Sequence, residues 1–247
     1  MNMKLILSYD GTAYHGWQIQ KNGITVQETV KKAIKKITGE DVNLIGCGRT
    51  DAGVHALNYS CNFKTNTNIP PERFKGAINS QLPEDIRCTH AEFVDEDFHA
   101  SYSATGKTYI YRICNRPEVD VFERNYVWHY KYPVDIKKMQ IASEAFKGEH
   151  DFIGFAAAGF TVSTTIRPIY DLKVTEDNGL ITIEVTGNGF LYNMVRIIAG
   201  TLIMMGNGKI DYKKAAEILS SKDRKRAGIT APPRGLFLKE VYYEERK

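Results

Sequence analysis

Apolar and polar positions along the first hundred residues switch between the period of a strand and that of a helix. Met3–Tyr9 reads as a strand that stops at Asp10-Gly11. From Val26 to Thr38 the residues Val26, Val30, Ala33, Ile34 and Ile37 keep to one face, the spacing of an amphipathic helix. Thr25, with Glu28 three residues later, forms a capping box at its start, and Gly39 closes its end. A short strand near Val42–Ile45 leads into a glycine-rich loop, after which Leu57-x-Tyr59-x-Cys61-x-Phe63 alternates as a half-buried strand does. Pro70-Pro71 opens a short helix through Phe74, Ala77 and Ile78, and a strand over Ile86–Val94 follows. The order is βαββαβ, the split arrangement of a ferredoxin-like domain.

The remainder of the chain repeats that order. A strand at Thr108–Cys114 precedes a helix over Ile136–Phe146, capped by Asp135 and ended by Gly148. Strands Ile169–Thr175 and Leu180–Thr186 flank Asp177-Asn178-Gly179, a hairpin turn signal. A helix from Leu191 to Met205 places Leu191, Met194, Val195, Ile198 and Leu202 on one side; a further helix near Tyr212–Leu219 precedes the last strand, Gly235–Tyr243. The pattern predicts an α+β chain of two halves of like topology, 1–100 and 101–247. No low-complexity linker separates them, so an extensive shared interface is expected.

Composition narrows the class. The chain has 247 residues, 43% hydrophobic and 25% charged, values of a globular protein rather than a disordered one. A net charge of +4 permits a nucleic-acid partner without demanding one. The cysteines at 47, 61, 88 and 114 form no C-x-x-C pair, and the six histidines show no ligand spacing, so no metal is expected. The N-terminal stretch turns polar after Leu5-Ile6-Leu7, too soon for a signal-peptide core. Met194–Met205 is interrupted by Arg196, Gly200 and Thr201 and is too short to span a bilayer. These features predict a cytoplasmic protein with reduced thiols and no membrane association.

Three segments carry candidate chemistry. In Gly46-Cys47-Gly48-Arg49-Thr50-Asp51-Ala52-Gly53-Val54-His55-Ala56 the glycines permit sharp turns or close approach to a ligand. Arg49 and Asp51 stand two apart; in an extended backbone both side chains project to the same side, and the guanidinium would keep Asp51 ionised as a nucleophile or base. The alternative is a surface turn with a structural Arg–Asp pair. A phosphate cradle fits poorly, because the dinucleotide fingerprint lacks its third glycine, no Gly-Lys-Ser/Thr is present, and a carboxylate mid-loop would repel phosphate. In the second segment Lys107, Tyr109 and Tyr111 share one strand face, which suits base stacking beside a charged backbone, or else is a half-buried strand with cross-strand aromatics. In the third, Arg196 sits near the apolar face of its helix, so it either reaches a ligand or extends its head to solvent. Basic residues cluster at Lys31, Lys32, Lys35 and Lys36 and at Lys222, Arg224, Lys225 and Arg226; with Arg167 and Arg234 they could line a groove for a polyanion, or simply be solvated.

Gly48-Arg49-Thr50-Asp51-Ala52-Gly53-Val54-His55-Ala56 resembles the signature of the TruA family of tRNA pseudouridine synthases. Tyr9-Asp10-Gly11-Thr12-Ala13-Tyr14-His15-Gly16-Trp17-Gln18, Phe98-His99-Ala100, His150-Asp151-Phe152, Phe190-Leu191 with Met194-Val195-Arg196, and Ala227-Gly228-Ile229-Thr230-Ala231-Pro232-Pro233 resemble further family blocks, in family order. The resemblance implies isomerisation of uridine to pseudouridine at positions 38, 39 and 40 in the anticodon stem-loop of tRNA, without cofactor or metal, by a homodimer. It implies that Asp51 is the catalytic aspartate, that Arg49 and Arg196 lie close to it, and that Tyr109 stacks on the target base. The fold it implies is two ferredoxin-like halves sharing a combined mixed or antiparallel sheet, with helices on one side and a central cleft.

That chemistry breaks the N1–C1′ bond, rotates the uracil and joins C5 to C1′. A carboxylate can stabilise or add to the anomeric carbon, or abstract a proton on the way to a glycal-like intermediate. The target must leave its stack to be reached, and Arg49 is the candidate wedge. The chain departs from the family pattern at Ser101-Tyr102-Ser103, where an arginine is usual at 101, at Asn58 in place of glycine, and near Phe160, where a cysteine is often found. Two other readings remain: a non-catalytic tRNA-binding module, and a nucleosidase that releases uracil.

Overall fold

A computed structural model describes residues 1–159 and 162–244, so Phe160 lies outside the described residues. The chain is mixed α and β. Its strands and helices run β1 (Asn2–Tyr9), α1 (Val26–Thr38), β2 (Ile45–Gly46), β3 (His55–Lys64), α2 (Pro71–Asn79), β4 (Ile86–Val94), β5 (Gly106–Cys114), β6 (Trp128–His129), α3 (Ile136–Ser143), β7 (Gly148–Asp151), β8 (Ile166–Asp177), β9 (Leu180–Gly187), α4 (Met194–Gly206), α5 (Ala215–Ser220) and β10 (Leu236–Tyr242). By its contacts the chain divides into two compact units, Met1–Thr105 with the residues from Phe237 onward, and Gly106–Leu236.

In the first unit β1 pairs antiparallel with β3 (Leu5 opposite Cys61) and with β4 (Leu5 opposite Ala91). β2 pairs antiparallel with β3, and β10 joins β3 in parallel, Phe237 opposite His55. The last strand of the chain thus belongs with the first unit. Met3, Leu5 and Leu7 lie opposite Phe63, Cys61 and Tyr59, and all six are wholly buried. Phe74 and Ile78 of α2 are buried too, with the Phe63 and Phe74 rings 5.9 Å apart. Each such side chain contributes about 1.5–3 kcal/mol. α1 has the predicted ends. Thr25 Oγ1 accepts the Glu28 N–H at 3.3 Å, and Gly39 takes the left-handed conformation beyond the helix. The Glu28 carboxylate pairs with Lys32 at 2.5 Å.

In the second unit β5, β9, β8 and β7 form an antiparallel run, and β6 lies parallel to β5. The hairpin between β8 and β9 turns through Asn178 and Gly179, both at positive φ (49° and 76°), as a two-residue turn of this sequence requires. α3 packs on β8 and α4. Several predicted elements differ in extent. The helix read over Ile136–Phe146 is α-helical to Ser143 and tightens into a 3-10 turn over Glu144–Phe146. The helix read from Leu191 begins at Met194, because Asn193 stands at φ 61° and breaks the turn before it. The helix expected at Tyr212–Leu219 opens with a 3-10 turn over Tyr212–Lys214 and continues as α5. β6 and β7 are strands that the sequence pattern does not predict.

Candidate active site

The loop from Cys47 to Val54 joins β2 to β3 and is held along its length by groups from β1, β3 and residues 11–17. Cys47 N–H donates to Ser60 O at 2.9 Å, Trp17 N–H to Thr50 O at 3.2 Å, and Gly53 N–H to Tyr14 O at 3.2 Å. Asp51 O accepts the Val54 N–H at 3.1 Å and closes a turn around residues 51–54. Gly16 makes this bracing feasible: it sits at φ 79°, and a Cβ there would lie 2.2 Å from Thr50 O.

Side chains complete the support. The hydroxyls of Tyr9 and Thr50 bond at 2.9 Å in a buried position, and the Tyr59 hydroxyl donates to Gly48 O. The Tyr59 ring stacks on Trp17, centroids 4.0 Å apart. Burial pushes the Tyr59 phenol well above its ordinary value, so it stays protonated and able to donate. Residues 48, 50 and 53 are therefore fixed around Asp51, which is itself half-buried. Arg49 is exposed, and its Nε donates to Gln18 Oε1 at 3.0 Å. His55, one of the six histidines without ligand spacing, is buried. Its Nδ1 accepts the Gly11 N–H at 3.1 Å, lies 3.1 Å from Asp10 Oδ1, and its ring stacks on Phe237.

The second unit carries Tyr109 and Arg196. Tyr109 stands half-buried on β5 opposite Val185, its ring edge-on to Phe190 at 5.2 Å. Tyr111 shares its face but is wholly buried, and its hydroxyl donates to Pro232 O at 2.7 Å. It is therefore core, and the expected stacking face reduces to Lys107 and Tyr109. Arg196, in the first turn of α4, donates from Nε to Ala231 O at 2.7 Å and from Nη1 to Asn193 Oδ1 at 2.6 Å. Ala231 N–H returns to Arg196 O at 3.1 Å.

The segment that receives Arg196 lies against α4 at two glycines. A Cβ on Gly200 would fall 1.9 Å from Ile229 O, and one on Gly228 would fall 2.6 Å from Thr201 Cα. Gly228 N–H donates to Thr201 Oγ1 at 2.8 Å, and Arg224 braces the same segment through Gly228 O and Thr230 Oγ1. Sequence reasoning reads Arg224 as part of a possible polyanion groove, Gly200 as a break in an apolar stretch and Tyr59 as a strand position, and does not find the supporting roles of these residues or of Trp17. The signal available was the glycines themselves, one inside an apolar helix and one in a loop, where close backbone contact is the usual reason for their presence.

Of the basic clusters, Lys31 and Lys35 reach Asp41, Lys32 reaches Glu28, Lys222 reaches Asp151 and Arg226 reaches Glu217. Arg234 donates to Val127 O and Arg167 to the carbonyls of Thr164 and Ile166. Much of this charge is spent locally. Among the described residues no group of three or more His, Cys, Asp or Glu is placed to hold a metal ion, and no helix is long and apolar enough to cross a membrane.

An aspartate on a loop tied at Gly48, Thr50 and Gly53, two residues from an exposed arginine, fits an enzyme of the pseudouridine synthase class. The family described as tRNA pseudouridine synthase matches residues 5–103 and 142–244, which hold Arg49, Asp51 and Arg196 and leave Tyr109 outside. The chain is 53% identical to tRNA pseudouridine synthase A of Thermoanaerobacter sp. (strain X514) and 51% identical to tRNA pseudouridine synthase A 2 of Clostridium perfringens (strain 13 / Type A). Each alignment covers 98% of this chain and 99% of the relative. The chain belongs to the tRNA pseudouridine synthase family, and is an isomerase. Among solved structures, the crystal structure of a Cbf5-Nop10-Gar1 complex aligns with 96% of this chain at 13% identity and a TM-score of 0.39; this chain spans about half (48%) of that one, and so low a likeness carries no argument.

Proposed function

We propose that the chain isomerises uridine to pseudouridine at positions 38, 39 and 40 of the tRNA anticodon stem-loop, with Asp51 as the catalytic residue and no cofactor. The observation that carries this reading is the half-buried Asp51 on a loop fixed at Gly48, Thr50 and Gly53 by hydrogen bonds from Tyr59, Trp17 and Tyr9, and to Tyr14. A carboxylate carried on a backbone already fixed needs less reorganisation when charge develops at the anomeric carbon.

In this mechanism the target nucleotide leaves its stack and meets Asp51. The N1–C1′ bond breaks while the carboxylate stabilises C1′ or bonds to it. The uracil turns in place, C5 joins C1′ as any bond from C1′ to Asp51 breaks, the C5 proton passes to solvent, and N1 takes up a proton, so that substrate and product are isomers. Arg49 fills the space the nucleotide vacates, since its side chain is exposed and tethered through Gln18 alone among the hydrogen bonds described for it. Tyr109 stacks on the uracil, and Arg196 binds the substrate from a fixed position. The enzyme acts in the cytoplasm as a homodimer, and its halves, 1–100 and 101–247, are ferredoxin-like, the first carrying the catalytic loop and taking β10 from the second onto its sheet; the order β1-α1-β2-β3-α2-β4 supports this for the first half.

The test is tRNA transcript tritiated at uracil C5, followed by nucleotide-resolution mapping of the product. Tritium release without added cofactor, with pseudouridine at 38, 39 or 40, is expected. Modification elsewhere, or free uracil among the products, contradicts the reading.

A further inference from the structure

Residues 98–103 form a loop, half-buried apart from buried Ala100 and exposed Tyr102, that buried amides hold by its backbone. Asn2 on β1 and Asn62 on β3 are each 1% exposed, where a polar group is costly unless it is bonded. Asn62 Nδ2 donates to Asn2 Oδ1 at 2.9 Å and to Phe98 O at 3.2 Å, and its Oδ1 accepts the Ala100 N–H at 2.8 Å. Asn2 Nδ2 donates to the carbonyls of Asp95 and Phe98, both at 2.9 Å, and the Tyr243 hydroxyl donates to Ala100 O at 2.9 Å. The loop closes on itself through Ser103 N–H to His99 O and His99 N–H to Ser103 Oγ.

This network presents two rings. His99 Nδ1 accepts the N–H groups of Ser101 and Tyr102, both at 3.2 Å, which fixes the plane of the imidazole. The Tyr102 ring stacks on it, centroids 4.2 Å apart and planes 23° from parallel. Tyr102 is 86% exposed, so its outer face is open to solvent. Single exposed aromatics are ordinary. An exposed ring stacked on an imidazole that its own loop fixes, in a loop tied on either side of that imidazole by a buried amide pair, is preorganised for a planar ligand.

Resting on the reading that the chain acts on RNA, we propose that Tyr102, backed by His99, is a stacking platform for an unpaired nucleobase of the tRNA. The local charge favours a base over a phosphate: Asp95, Glu96 and Asp97 directly precede the loop, and Glu96 is paired with Lys64 at 2.6 Å and with the terminal amine at 3.3 Å. The platform thus offers a π-face without a strong positive field, and base–aromatic stacking tolerates that.

The test is equilibrium binding of a tRNA transcript to Tyr102→Phe, Tyr102→Leu and Tyr102→Ala, each in an Asp51→Asn background so that no turnover occurs. Tyr102→Phe binds within about twofold of the parent, while the leucine and alanine variants bind about tenfold more weakly, as loss of one stacked base implies. The ratio holds at low and high salt although every affinity falls with salt. Leucine binding as tightly as phenylalanine, no difference among the variants, no tRNA binding by the parent, or a change of oligomeric state in Tyr102→Ala overturns the proposal. Full turnover by Asp51→Asn itself would overturn the role of Asp51 and leave this binding series standing.

Discussion

Arg49 and Arg196 present the same guanidinium in opposite states. Arg49 stands exposed on the braced loop of the first unit and is tethered through the side chain of Gln18. Arg196 stands half-buried at the start of α4, with its Nε on the backbone carbonyl of Ala231 and its Nη1 on Asn193. In the first unit the loop backbone is tied at residues 47, 48, 50 and 53, while the arginine side chain is exposed and bonded to another side chain. In the second unit the arginine is itself one of the ties that hold the 227–232 segment to α4. Two cations that look alike in the sequence therefore stand in different settings: one exposed on a loop and held by a side chain, the other half-buried and held in part by backbone.

The sharpest way to break this contrast is at the seam under Arg196. Gly200→Ala places a methyl 1.9 Å from Ile229 O, where backbone faces backbone, and should destabilise the protein by about 3 kcal/mol, read as a lower melting temperature. Arg196→Met removes the donors to Ala231 and Asn193 and should cost about 2 kcal/mol; Arg196→Lys should not restore it, since a point charge cannot serve two acceptors set for a planar fork. Tyr59→Phe leaves Gly48 O without its donor and should cost about 1 kcal/mol, with tritium release slowed by roughly tenfold as the loop loosens. Arg49→Ala should shift stability by less than about 0.5 kcal/mol, as for other surface positions, yet still slow tritium release. A drop in melting temperature for Arg49→Ala as large as that for Arg196→Met would erase the distinction.

Local signals in the sequence are legible where one short window holds all the determinants. α1 has its cap at Thr25, its apolar face and its closing Gly39 within a few turns, and its ends fall where predicted. The Asp177-Asn178-Gly179 hairpin is equally self-contained. What failed to show was pairing between distant segments. β7, Gly148–Asp151, has no alternation and exists because β8 pairs with it; the parallel placement of β10 on β3 has no local signature at all. The candidate site divides the same way. The residue types around Asp51 were visible as a glycine, arginine and aspartate cluster and through the family resemblance. The support from Tyr9, Tyr14, Trp17 and Tyr59 depends on strand pairing and on the close approach at Gly16. The strand period correctly placed Tyr109 and Tyr111 on one face, but not which of them the 227–232 segment covers.

The central claim is that the braced carboxylate of Asp51 carries the reaction. The most direct test compares wild type with Asp51→Asn for tritium release in single turnover and for tRNA binding in the same preparations. The account predicts that the asparagine variant, nearly identical in shape, binds tRNA within a few-fold of wild type and releases tritium at least about 10³-fold more slowly. Release at the wild-type rate with binding intact would contradict it.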